Sequence, residues 1–137
     1  MDRAEALTKV ASARSAHLAT IRPDAGPHVV PITFALDGDE IVTIIDDKPK
    51  STRNLQRLIN IEVNPTVSVL ADQYTEDWDG LWWVRIDGTA TIHQGDSRWT
   101  TALGALTAKY AQYARRPPGG PVIAIGIERV TYWESTP

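Results

Sequence analysis

Two turn signals fix the architecture open to this chain. Arg22-Pro23-Asp24-Ala25-Gly26 and Asp37-Gly38-Asp39 each fall between apolar runs of strand length. Pro followed by Gly favours a tight reversal, and an Asp-Gly pair between such runs is a hairpin signal. Strands joined by hairpins pair antiparallel, whereas parallel strands need long helical crossovers. The early strands are Ala16–Ile21, Pro27–Leu36 and Glu40–Asp46. Pro31 interrupts the second, and a proline inside a strand marks an edge, a bulge or backbone that faces something other than a strand. Thr66–Asp72 alternates like a half-buried strand, and Leu81–His93 is a long one in which Gly88 marks a bulge. Pro121–Trp133 reads as a last strand bent near Gly126. Helices are expected over Asp2–Ala13, over about Thr52–Asn60, and from a cap at Asp96 or Ser97 to about Tyr113. Six strands and three helices predict a mainly β, α+β domain, an antiparallel sheet closed as a barrel with helices outside. The first strand is followed by no Gly-rich turn, which argues against a doubly wound sheet.

The chain of 137 residues suits one domain spanning 1–137 with a real core. Its net charge of −3 gives no global attraction for nucleic acid or an anionic membrane. It has no cysteine, so neither a disulfide framework nor a thiolate metal site is expected, which fits a cytoplasmic protein. No apolar run near the N-terminus suits a signal peptide or a membrane span.

Against that acidic background, Lys48, Lys50, Arg53 and Arg57 fall in one short stretch without an acid. It is read as the end of a strand, a loop and a helix start. Cations at a helix start oppose the helix dipole at a cost of roughly 0.3–1 kcal/mol each. Three readings fit: a solvated loop, an anion site, or a nucleic-acid patch. The anion site has the most behind it. Free helix-start N–H groups, the hydroxyls of Ser51 and Thr52, and Lys48, Lys50 and Arg53 would together attract a phosphate. One short basic loop is thin support for nucleic acid. Val29, Val30 and Ile32 supply an apolar surface for a flat ring beside the phosphate.

These segments resemble a known family. "AHLATIRPDAGPHVVPITFAL", "DEIVTIIDDKPKSTRNLQRLINIEVNPTVSVLADQY" and "LWWVRIDGTATI" are similar to the flavin- and deazaflavin-dependent split-β-barrel proteins. That family includes pyridoxamine 5′-phosphate oxidase-like proteins and their coenzyme F420-dependent relatives. The likeness spans about Ala16–Ile92. It rests on the order of an early hairpin, a "K..RNL" loop (Lys50, Arg53, Asn54, Leu55), an "NP.VSVL" strand and an "R..G.A" strand (Arg85, Gly88, Ala90). "KPKSTRNL" with "LWWVR" looks most like the F420 branch. True pyridoxamine phosphate oxidases are usually longer and carry extra substrate-binding residues.

The resemblance implies an FMN-binding-like split barrel that forms a homodimer, with coenzyme F420, or alternatively FMN, held between subunits. Lys50, Arg53 and Asn54 would meet the phosphate, with Lys48 and Ser51 close by. Val29, Val30, Pro31 and Ile32 would line the ring, with Thr43, Ile44 and Ile45 beside it. Gln73, Trp82 and Trp83 would come from the partner subunit. The implied activity is an oxidoreductase that passes hydride to a small organic substrate. A binding protein for F420, flavin or haem without turnover is the alternative. No residue is assigned a catalytic role. His17, His28 and His93 are too scattered for a metal site and are read as structural or exposed. Trp82 and Trp83 alternate across their strand, so one points in and one out.

Overall fold

The computed structural model of the chain describes residues 1–45 and 52–136, with side chains throughout except at 52–55. Its elements are α1 (Arg3–Ser12), β1 (Ala16–Ile21), β2 (Pro27–Ile32), β3 (Ala35–Asp37), β4 (Glu40–Ile44), α2 (Thr52–Val63), β5 (Thr66–Gln73), β6 (Trp82–His93), α3 (Ser97–Lys109), α4 (Ala111–Arg115) and β7 (Val122–Glu134). The seven strands form one antiparallel sheet in the order β2-β1-β5-β6-β7-β4-β3.

That order forces the sheet to roll up. Laid flat at about 4.8 Å per strand, β2 and β3 would lie about 29 Å apart. Yet only Thr33 and Phe34 join them, a link of at most about 11 Å. The edges must therefore meet, and the fold is a split barrel with flanking helices. The sequence pattern expects Pro27–Leu36 as one strand. The chain instead breaks at Thr33-Phe34 and sends its halves to opposite ends of the sheet. The edge meaning of Pro31 holds, since β2 pairs only with β1.

Side chains from elsewhere pin the break. Thr43 Oγ1 donates to the Thr33 carbonyl at 2.7 Å, and Thr33 Oγ1 lies 2.7 Å from the Tyr113 hydroxyl. The Phe34 N–H donates to the Tyr110 hydroxyl at 3.1 Å. That hydroxyl in turn can donate to the carbonyl of Arg14 (2.9 Å) or Phe34 (3.0 Å). The same contacts end α3 at Lys109. Tyr110 takes an extended conformation, and α4 starts afresh, where the sequence suggests one helix running to Tyr113.

Two apolar layers hold the barrel. Leu18, Phe34, Ile41, Val69, Val84, Ile86, Ile123 and Ile125 fill the inside. Outside, Ala102 and Leu106 of α3 cover Ala35, Val42, Ile44, Val122 and Ala124. This explains why β4 is buried on both faces. Arg98 locks α3 to the β3–β4 hairpin, with Nη1 2.6 Å from Asp37 Oδ2 and Nη2 2.7 Å from Glu40 Oε1. The helix starts behave as read: Asp2 caps α1 and Asp96 caps α3, each accepting a backbone N–H at 2.9 Å. Inside the barrel, Asn60 of α2 donates to Thr20 of β1 at 2.9 Å, a buried polar tie between helix and sheet. The sheet carries one irregularity in the β6–β7 ladder. Asp87 pairs with Arg129 and Gly88 with Ile127, so Glu128 is the extra residue. The bulge that Gly88 signals in the sequence thus has its additional residue on the facing strand. None of the described helices is long and apolar enough to cross a membrane.

Lys109 is an outlier in this packing. Its ammonium lies 3.9 Å from the centre of the Phe34 ring, beside Arg14, with no hydrogen-bond partner among the described residues. Burial, then repulsion from Arg14, pushes its pKa down to about 8. The ring contact favours the cation but only partly offsets these costs. The folded pKa is therefore below the ordinary value of 10.5. The penalty is complete below pH 8, relieved as pH rises towards 10.5, and gone above it. Lys109→Met should accordingly flatten the rise in stability between pH 7 and 10. Melting temperatures of both proteins across that range check this, and parallel curves would refute it.

Candidate functional site

Side chains alternate along a strand, so each inward core residue has outward neighbours. On β2, β1, β5 and β6 the outward positions meet. His17 stands opposite Leu70, and Leu70 opposite Arg85. Ala19 stands opposite both Val29 and Ser68, and Asp72 opposite Trp83. Together they line an open groove of about 500 Å³ whose surface is mostly apolar. Val29 is 60% exposed and Leu70 39%, as are other large apolar groups of the sheet, among them Trp133 at 46%. An apolar face of this kind is characteristic of a ligand or partner surface.

The groove's polar groups are few. Ser68 Oγ donates to Asp87 Oδ1 at 2.5 Å, engaging one oxygen of that carboxylate. Arg85 Nε stays 3.8 Å from the same oxygen, an ion pair without a hydrogen bond. The Arg85 guanidinium lies 5.9 Å from the centre of the Trp83 ring. His17 opens onto the groove and makes no hydrogen bond to another described residue.

A second hollow of about 300 Å³ lies between α1 and the ends of β5, β6 and β7. Lys9, Ser12, Gln73, Asp79, Trp82 and Glu134 line it, and its surface is mainly polar. The Lys9 ammonium sits 5.7 Å from the centre of the Trp82 ring. Gln73 Nε2 donates to the Gly80 carbonyl at 2.9 Å.

The sequence-predicted site residues are thus distributed. Val29 and Trp83 line the groove, while Gln73 and Trp82 line the second hollow. The two tryptophans do face opposite ways. Val30 packs against the core, Pro31 is exposed at the edge of the sheet, and Ile32 is buried. Thr43, Ile44 and Ile45 are buried, with Thr43 spent on the Thr33 carbonyl. Lys48, Lys50 and Ser51 lie outside the described residues. Arg53 and Asn54 fall in the first turn of α2, and their side chains lie outside the description.

The groove also contains residues that the sequence did not assign to the site: His17, Ala19, Ser68, Leu70, Asp72 and Arg85. Arg85, Ser68 and Leu70 enter the sequence reading only as members of family motifs and His17 only as a structural or exposed histidine; what places them in the groove is an outward position in an alternating strand. The other histidines serve elsewhere. His93 Nδ1 lies 2.8 Å from Asp96 Oδ2, and its Nε2 lies 2.8 Å from Thr91 Oγ1. The hydrogen bond with His93, then the Trp99 N–H, holds the Asp96 carboxyl below its usual range. His28 Nδ1 is buried without a hydrogen-bond partner among the described residues. Among the described residues no group of three His, Cys, Asp or Glu side chains is placed to hold a metal ion.

Known proteins share this architecture. The family described as pyridoxamine 5′-phosphate oxidase matches residues 3–134. No curated protein matches the sequence significantly. Among solved structures, the conserved hypothetical protein Rv2991 of Mycobacterium tuberculosis is similar, with 24% identity and a TM-score of 0.79 over 98% of this chain and 85% of that one. A FAD-binding protein of Mesorhizobium loti has 20% identity and a TM-score of 0.75, covering 99% and 96%. HutZ, the haem storage protein of Vibrio cholerae, has 14% identity and a TM-score of 0.73, covering 96% and 93%. At these identities the likeness concerns the fold.

Proposed function

Because the chain belongs to the pyridoxamine 5′-phosphate oxidase family, we propose that it holds a flat, phosphorylated redox cofactor and reduces a small organic acceptor. Coenzyme F420 is the preferred cofactor and FMN the alternative. The observation that carries this reading is the groove beside a free sheet edge. The outer side of β2 has no strand partner among the described residues, so its outward backbone groups, chiefly carbonyls because Pro27 and Pro31 carry no N–H, are open to the polar rim of a ring. Val29 and Trp83 give the groove apolar walls suited to the ring's faces. A planar heteroaromatic group therefore fits the residues present.

A bound deazaflavin or flavin supplies the hydride itself. The protein's part is to seat the phosphate, orient the ring and exclude water. The start of α2 at Thr52 would offer helix-start N–H groups, and Lys50, Arg53 and Asn54, with Lys48 and Ser51, would hold the phosphate. A homodimer packed over the exposed sheet face would roof the groove and shield the reaction from water.

Titration with FMN and with F420 tests the reading, followed by turnover of each reduced cofactor against a panel of conjugated acceptors. Arg53→Ala should weaken cofactor binding by about 1.5–3 kcal/mol, the range for a lost charge-assisted contact. Unchanged affinity in a folded variant would count against the phosphate seat. A second reading, haem or flavin binding without turnover, draws on one observation: His17, with no hydrogen bond to another described residue, faces an apolar groove that also carries Arg85. Tight binding of haem with no turnover of either reduced cofactor would favour it.

A further inference from the structure

Two cations meet at the end of α3 without an acid to match them. Arg14 Nη2 donates to the Lys109 carbonyl at 3.1 Å, and the Arg14 guanidinium lies 4.7 Å from the centre of the Tyr110 ring. The Lys109 ammonium lies 5.3 Å from the centre of that same ring and 3.9 Å from that of Phe34. Lys109 Nζ is buried and has no hydrogen-bond partner among the described residues. The Tyr110 hydroxyl, a further titratable group here, is engaged with the backbone of Arg14 and Phe34. Burying a cation without an acceptor is costly, and an apolar side chain of similar length would avoid that cost. The amine's own chemistry is therefore the feature to explain. With a pKa of about 8, about half of the chains carry the neutral, nucleophilic amine at pH 8, against about one in 300 for a lysine at the ordinary 10.5.

We propose that Lys109 is a carbamylation site, at which the buried amine adds dissolved carbon dioxide and the resulting carbamate pairs with Arg14. The neutral Nζ attacks the carbon of carbon dioxide. An N–C bond forms, one C=O electron pair moves onto oxygen, and the amine proton passes to water, so no oxidant or reductant is needed. A buried nitrogen shuts out bulky electrophiles, whereas carbon dioxide is small, linear and apolar. The product turns a repelling pair of cations into a cation and an anion, and the Arg14 fork is shaped for the two carbamate oxygens. The end of α3 disfavours an anion, but Arg14 brings a full positive charge to that same end. The modification would thereby tighten the cluster that pins the Thr33-Phe34 link, independently of any cofactor.

The full chain in buffer equilibrated with isotope-labelled bicarbonate, at neutral to mildly alkaline pH, tests this. NMR should show a carbamate carbon signal, and trapping with a trialkyloxonium salt followed by peptide mass analysis should place the mark on Lys109. Lys109→Met should lose the signal and Lys9→Met should keep it. Arg14→Gln should lower the occupancy about tenfold, and Arg14→Lys should restore part of it. Bicarbonate should also raise the melting temperature of the wild type relative to carbon dioxide-free buffer and leave that of Lys109→Met unchanged. Arg14 is exposed, so its variants are expected to fold, and circular dichroism verifies it. No mark on Lys109, a mark spread equally over the other lysines, or an occupancy indifferent to Arg14→Gln would overturn the proposal.

Discussion

Gly88→Val is expected to abolish folding or to remove about 4 kcal/mol or more of stability, beyond the range of an ordinary point mutation. A Cβ at residue 88 would lie 2.1 Å from the carbonyl oxygen of Gly126 and 2.9 Å from Ile125 Cγ2. The oxygen belongs to backbone in the adjoining strand, so no rotamer change relieves the clash. The two strands sit side by side near the middle of the sheet, at the irregularity where Glu128 is the extra residue. Separating them would break ladder bonds on both sides and open the core at Ile86 and Ile125. Soluble yield and denaturant midpoints measure the loss. Gly104→Ala is the matching control. A Cβ at residue 104 meets nothing within 4 Å, and the position is inside α3. That change should add about 0.5–1 kcal/mol by raising helix propensity. Should both variants behave alike, close approach of the strands is not what requires glycine at residue 88.

Phe34→Ala should cost about 3–5 kcal/mol, the usual range for emptying a fully buried aromatic site. Phe34 is the chain's only phenylalanine, 0% exposed, and it occupies the two-residue link that joins the sheet's edges. Its removal would leave a void in the core and take away the ring beneath the Lys109 ammonium. Phe34→Leu should cost clearly less, because it keeps most of the apolar volume. The Tyr110 and Thr43 hydrogen bonds go to the backbone of this link and persist in both variants, so the difference between them isolates packing. Chemical denaturation gives both values. Equal losses in the two variants would show that the ring's volume is not what matters here.

How far the sequence predicts this molecule depends on whether the deciding contacts are local. β1 follows Ala16–Ile21 to the residue, and Asp96 is the cap of α3, because alternation and capping act over a few positions. The Pro27–Leu36 segment misleads because Ile32, Phe34 and Leu36 continue the apolar alternation across the break. What divides it is Tyr110 and Tyr113, far along the chain, reaching the backbone and side chain of Thr33-Phe34. The interruption of α3 at Tyr110 is the other half of that contact and equally invisible locally. The groove escaped for a related reason. His17, Leu70 and Arg85 each occupy an outward strand position, but only the register across β1, β5 and β6 makes them neighbours. The proposed phosphate residues are the reverse case, plain as a charge pattern in the sequence, with Lys48, Lys50 and Ser51 beyond the described residues.

The strand order also bears on how the protein forms during synthesis. β7, the last strand made, inserts between β6 and β4 instead of adding to a rim. Until it emerges from the ribosome, the β3–β4 hairpin has no strand to join it to the rest of the sheet and β6 presents a row of unpaired amides. Nascent chains stopped short of Val122 would therefore expose strand edges ready to pair with one another. Self-association during translation, rather than loss of a single contact, is the consequence to expect from C-terminal truncation.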